Sequence, residues 1–157
     1  MNNKPKIKHS KIKNVKFGKN VKLIEPLNIY DCEIGDNTFV GPFVEIQKNV
    51  KIGKNCRIQS HSFICELVKI SDNTFISHGV VFINDKFIKG GPAKGDKKLW
   101  ESTIIGKNVS IGSNATILPV SICDNVVIGA GSVVTKDISS PGFYVGNPAR
   151  KIKNMTL

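Results

Sequence analysis

The stretch from Ile34 to Phe82, IGDNTFVGPFVEIQKNVKIGKNCRIQSHSFICELVKISDNTFISHGVVF, decides the fold. Every sixth residue from its start is apolar: Ile34, Val40, Ile46, Ile52, Ile58, Ile64, Ile70, Ile76 and Phe82. With apolar residues at 40% of the chain, nine such hits in a row arise by chance less than roughly once in a thousand, so the period is a structural repeat. Four residues after each of the first eight stand Thr38, Val44, Val50, Cys56, Ser62, Val68, Thr74 and Val80, all small or β-branched. Gly follows the aliphatic at Gly35, Gly41 and Gly53. Period six is neither a helix period nor a plain strand alternation. It suits a short strand plus a corner, with three rungs closing one triangular coil.

The register extends both ways. Downstream, Ile105, Ile111 and Ile117 are followed, after the loss of one residue, by Ile122, Ile128 and Val134. Their small partners are Val109, Ala115, Ser121, Val126 and Ser132, and Gly recurs at Gly106, Gly112 and Gly129. Upstream, Phe17, Leu23 and Ile29 continue the pattern. Asn20, Asn37, Asn49, Asn55, Asn73, Asn108, Asn114 and Asn125 fall at expected corners, where Asn tolerates positive φ. The expectation is an all-β solenoid of about six coils, stacked about 4.8 Å apart. No coil buries its own apolar stack, so the solenoid stands only as a whole.

Residues 84–103, NDKFIKGGPAKGDKKLWEST, break the register with turn chemistry at Gly90-Gly91-Pro92 and Gly95-Asp96. This is an expected ejected loop, and the sole Trp, Trp100, lies at its far end. Trp100 either pins the loop to its own coil or anchors it elsewhere.

The 157 residues form one expected domain, 1–157, with a basic lead-in over 1–16 and a tail over 140–157. Its apolar content excludes a disordered chain. Charged residues or Gly interrupt every apolar run, so no membrane span is expected, and the N-terminus lacks the apolar core of a signal peptide. A cytoplasmic location is the expectation. The 23 basic and 12 acidic residues give a formal charge of +11, and eight lysines, Lys4 to Lys22, precede the first acid, Glu25. That run reads as a solubilising edge or as attraction for an anion. Nucleic acid is disfavoured, because Lys outnumbers Arg 21 to 2 and Arg is the better bidentate reader of phosphate and guanine. Cys32, Cys56, Cys65 and Cys123 contain no CxxC pair and read as buried free thiols.

Beyond the hexapeptides, three further stretches matter: the loop after Phe82-Ile83-Asn84-Asp85, the run IGAGSVV at 128–134, and the tail PGFYVGNPAR at 141–150. Together they resemble the left-handed parallel β-helix acyltransferases, over about residues 15–152. The left-handed coil is implied by this resemblance, not by the spacing. GPFVEIQ at 41–47 and SHGVVFIND at 77–85 are similar to N-acetyltransferases of nucleotide-linked amino sugars, closest to those acting on 3-amino sugars. The resemblance implies transfer of an acetyl group from acetyl-CoA to the amine of a dTDP- or UDP-linked amino sugar, for surface glycan biosynthesis. It implies a homotrimer with sites between subunits, and no metal, nucleic-acid or membrane partner.

In such a reaction the nucleophile is the substrate amine, so no Ser or Cys nucleophile is needed. Placement and oxyanion donors are. His78 is a candidate base or orienter, and Asn84 and Asp85 are candidates to grip the amine. For each, a plain surface or turn role is the competing reading. His78 and Asn84 are expected at outward corners, with His61 close to His78 on one edge; His9 reads as solvated. Glu45 and Phe43, with His61, are candidates for the nucleotide sugar. For the acyl donor the resemblance implies Trp100, Gly106, Gly129, Ala130, Lys136, Arg150 and Lys151. Three other readings compete: an O-acetyltransferase using a stronger base, a β-helix carbonic anhydrase needing three His ligands, and a non-catalytic scaffold.

Overall fold

A computed structural model describes residues 12–155; the solvated reading of His9 and the lysines up to Lys11 lie outside the described residues. The chain winds into three parallel sheets, one per side of a prism. Sheet A stacks Ile12–Lys13, Asn28–Tyr30, Glu45–Ile46, Phe63–Ile64, Val81–Phe82, Thr116–Ile117 and Val133–Val134. Sheet B stacks Lys16–Phe17, Glu33–Ile34, Lys51–Ile52, Val68–Ile70, Thr103–Ile105 and Ser121–Ile122. Sheet C stacks Lys22–Leu23, Phe39–Val40, Arg57–Ile58, Phe75–Ile76, Ser110–Ile111, Val126–Ile128 and Gly142–Gly146, and Ala149–Lys153 folds back antiparallel on its last strand. Successive turns sit in register, as in Ile34 with Ile52 and Ile52 with Ile70.

The described residues make seven turns, one more than the hexapeptides suggest. In the last, sheet B is represented by a single bridge between Ile122 and Ile138, and the tail supplies the sheet C strand. A bridge and a tail lack the hexapeptide signature, which is why counting hexapeptides stops short.

The aliphatic column from Ile34 to Phe82 points inward and is buried throughout, as are its eight small partners. One expected partner is misplaced. Ser121 is exposed on sheet B, and Val120 takes the inward corner, because the lost residue between Ile117 and Ile122 shortens that rung. Phe17 is also not core: it is 42% exposed in the first described turn. Buried hydroxyls bond the next turn's backbone, as Thr38 Oγ1 does to the Gly53 carbonyl at 3.0 Å and Ser62 Oγ to that of Ser77 at 2.9 Å. Each of these satisfies a group that would be costly to bury alone.

All eight expected corner asparagines adopt positive φ. On the edge between sheets B and C their amides form a ladder, Asn20 to Asn37 to Asn55 to Asn73, at 3.2 Å per step. The three faces differ in character. Sheet B presents Lys16, Glu33, Lys51 and Lys69 outward, with Glu33 paired to Lys16 at 3.3 Å and Lys51 at 3.5 Å. Beyond Lys13 in its first strand, sheet A presents Asn28, Glu45, Phe63, Val81, Thr116 and Val133, with Glu45 the single charge among these six. Among the described residues no helix is long and apolar enough to cross a membrane.

Candidate active site

Two edges flank sheet A, and the candidate residues divide between them. On the edge between sheets C and A, Phe43, His61, Gly79, Asn114 and Gly131 form a column of positive-φ corners. The left-handed conformation costs an ordinary L-residue roughly 1–2 kcal/mol, so Gly and Asn are the expected occupants. Phe43 (φ 59°) and His61 (φ 63°) depart from that rule. Their rings stack nearly parallel, centroids 4.7 Å apart, on the solvent side. His78 belongs to the neighbouring column: it lies above Ser60, whose Oγ is 2.8 Å from its Nδ1. His61 and His78 therefore share one edge on successive turns, each exposed. Glu45 points outward on sheet A beside this edge and accepts a hydrogen bond from Gln47 Nε2 at 2.9 Å.

The edge between sheets A and B carries the ejected loop, which leaves after Phe82 and returns at Thr103. Asn84 is half-buried there. Its Nδ2 donates to the Glu66 carbonyl at 3.1 Å, and its own carbonyl accepts from the Glu101 amide at 2.9 Å. Asp85 organises the loop: its two oxygens accept from the amides of Phe87 (2.9 Å) and Ala93 (2.7 Å), and its backbone bridges Trp100. Between loop and coil lies a cleft of about 330 Å³, walled by Phe63, Cys65, Ile83, Phe87 and Trp100 with Asn84 and Asp85 at its rim. Trp100 thus closes over its own coil. The Cys65 thiol in this wall is no nucleophile, because burial pushes it up to about 12.

The acyl-donor candidates are spread over the prism. Gly106 sits on the edge between B and C, where an added Cβ would stand 2.7 Å from the Asp124 amide; its smallness serves coil stacking. Gly129 serves the tail, since a Cβ there would stand 2.6 Å from Val145 Cγ1. Ala130 beside it is exposed on the His78 edge. Lys136 is exposed in the last turn, on the side of Trp100. Arg150 and Lys151 lie on the terminal antiparallel strand, where Lys151 Nζ reaches Ser140 Oγ at 3.1 Å. One chain therefore gathers Phe43, His61, His78 and Ala130 on one edge, and Asn84, Asp85 and Trp100 on another.

Sequence reasoning missed Ser60 and Glu66, the partners of His78 and Asn84. Both stand 18 residues before the residue they touch, one coil earlier, so the repeat itself carried the signal.

Residues 31–66 match the bacterial transferase hexapeptide family model (six repeats), and residues 102–136 match the hexapeptide repeat of succinyl-transferase. Among curated proteins the chain is similar to the bifunctional protein GlmU of Clostridium botulinum (strain ATCC 19397 / Type A), 35% identical over 139 residues, which is 83% of this chain and 30% of GlmU. It spans about a third of the length of such relatives. Among solved structures it is similar to a point variant of AntD, an N-acyltransferase from Bacillus cereus, in complex with dTDP and coenzyme A. Identity is 28%, the match covers 90% of this chain and 84% of that one, and the TM-score is 0.78. A second AntD variant, in complex with dTDP-4-amino-4,6-dideoxyglucose and coenzyme A, matches at 28% identity, the same coverage and a TM-score of 0.68. Period, winding and matched repeats agree: the chain is a parallel β-solenoid that carries, over 31–66 and 102–136, the hexapeptide repeats of bacterial transferases.

Proposed function

We propose that this protein is an N-acyltransferase that moves an acetyl group from acetyl-CoA to the amine of a nucleotide-linked amino sugar, dTDP- or UDP-bound, within surface glycan biosynthesis. The observation that carries this reading is the likeness to AntD over 90% of the chain. The chemistry fits. The amine nitrogen attacks the thioester carbonyl carbon, the C–N bond forms, the C–S bond breaks, and the proton leaves with the thiolate or through His78. Asn84 holds the amine by hydrogen bonding and takes no proton. Phe43 and His61 offer an exposed aromatic platform for the nucleotide end, with Glu45 beside it. Ala130, Lys136, Arg150, Lys151 and Trp100 are the remaining donor contacts proposed; Gly106 and Gly129 act through backbone packing.

His78 and Asn84 lie on opposite edges of sheet A, so a site that uses both is built between copies of the chain. Sheet A, the face with the fewest charges, suits packing about a three-fold axis. A homotrimer is the assembly proposed.

The test is to incubate the protein with acetyl-CoA and a panel of dTDP- and UDP-linked 3-amino and 4-amino sugars, then assay free thiol. The sequence resemblance favours the 3-amino position; the solved neighbour carries a 4-amino sugar. Release with amines and not with hydroxyl sugars supports the proposal. Release with hydroxyl acceptors alone replaces it with O-acetyl transfer. Asn84→Ala is expected to cut turnover by at least about tenfold through lost placement; near-normal kinetics would remove Asn84 from the site. Light scattering that gives a monomer would remove the between-copies site.

A further inference from the structure

Glu66 is the only charged side chain among the described residues that is buried, at 5% exposure. A buried carboxylate survives only with close partners. Glu66 has three: Asn49 Nδ2 at 2.9 Å and Lys48 Nζ at 3.9 Å from the preceding turn, and Lys97 Nζ at 3.0 and 3.3 Å from the ejected loop. Its main-chain carbonyl meanwhile accepts the Asn84 amide.

The loop's own contacts are mostly internal. Asp85 and Trp100 bridge at its base, Lys86 pairs with Glu101 at 2.7 Å, and Asp96 caps the short 3₁₀ turn Lys97–Leu99 through the Lys98 amide. Among the described residues, Lys97 makes the only hydrogen bonds by which 86–99 reaches an earlier turn. Lys97 Nζ also lies 5.6 Å over the Trp100 ring. The two lysines share one carboxylate unequally. Lys97, facing Lys48 and Glu66, is held above the usual lysine range; Lys48, pressed chiefly by Lys97, is held below it.

We infer that Glu66 is a positioning residue: its carboxylate latches the loop to the coil through Lys97, and its carbonyl fixes the amide of Asn84. The latch sets where Trp100 and Phe87 stand, and they wall the cleft beside Asn84. The kinetic half of this inference rests on the proposed acyl transfer; the structural half does not.

The test uses Lys97→Met, which keeps the side-chain stem and leaves Glu66 with Asn49 and Lys48, and Lys97→Arg as the charge-preserving control. Two readouts need no substrate: hydrogen exchange of 86–100, and acrylamide quenching of the sole Trp, Trp100. Lys97→Met is expected to speed loop exchange about tenfold and raise quenching, while exchange in the coils stays as in the parent. Lys97→Arg is expected to restore both. Unchanged loop exchange and quenching in Lys97→Met would overturn the latch. With the acceptor found in the panel above, kcat/KM of Lys97→Met is expected to fall about tenfold and to recover with Arg. A loosened loop with unaltered kcat/KM would overturn the positioning role. If no acceptor reacts with the parent protein, the proposed function fails, and exchange and quenching still decide the latch.

Discussion

Phe82→Ala is the sharpest probe of the solenoid. Phe82 heads the fully buried side chains and stands in the sheet A column with Ile46, Ile64, Ile117 and Val134, opposite Ile117 in the next turn. Removing a buried Phe ring costs about 3–5 kcal/mol, transfer and cavity together. Against a total of about 5–15 kcal/mol, that is a large share of the fold's stability. At about 2–4 °C per kcal/mol for a chain of this size, the melting temperature should drop by roughly 6–20 °C. Phe82→Ile, which gives the column the residue used by its neighbours, should cost only about 1–2 kcal/mol. Urea unfolding followed by far-UV circular dichroism measures both. Because each turn touches only its neighbours, the cavity should also uncouple the coils before and after the ejected loop, visible as divergent hydrogen-exchange rates for 12–76 and 103–155. A cost below about 1 kcal/mol for Ala, or equal costs for Ala and Ile, would show that this column is not a tightly packed core.

Three other outcomes are expected. Cys32 and Cys65, both pushed up to about 12 chiefly by burial, should resist thiol reagents at pH 8 until denaturant is added; rapid labelling of either in the native protein would contradict their packing. Glu33, hydrogen-bonded by Lys16 and facing Lys51, and Asp36, bonded by the Lys19 amide and Lys54, are both held below the ordinary carboxylate range. A depressed carboxylate stabilises the fold above its unfolded value and loses that contribution as pH falls through the folded one, so unfolding midpoints should hold from pH 7 to 5 and decline below about pH 4. The double variant Glu33→Gln, Asp36→Asn should flatten that decline, and an unchanged profile would point to other acids. Deleting 86–99 should weaken acyl-donor affinity or trimer assembly, read by calorimetry and light scattering; if neither changes, the loop is passive.

The fold was legible because the six-residue period is enforced at every rung by burial. An inward Ile, a small partner and an Asn corner each answer a separate physical demand, and together they fix strand, turn and stacking. The last turn was not legible, because Ile138 and the strand Gly142–Gly146 meet the same demands without repeating the motif. Ser121 misled for a related reason: a one-residue loss shifts which side chain faces inward, and small residues suit either side. At the candidate site, His78 stood out as one of only three histidines, the loop as a break in the period, and Asn84 and Asp85 through the resemblance at the loop's start. It did not reveal that Asp85 is consumed by loop amides, or that Gly106 and Gly129 are small to admit neighbouring backbone and Val145. Those facts depend on which atoms meet across turns. Glu66 escaped notice because an acid inside an apolar stretch looks like any outward residue until its lysine arrives from 31 positions away.

The loop's bookkeeping has a practical side. Val68 to Ile70 pair with Thr103 to Ile105, 35 positions on, whereas Lys69 and Ile70 pair with Lys51 and Ile52, 18 positions back. The excursion therefore adds residues without shifting phase: the strands on either side dock as if nothing had been spliced between them. A segment of that kind behaves as an exchangeable cassette. Its length and sequence can change while the winding that carries it keeps its alignment from end to end.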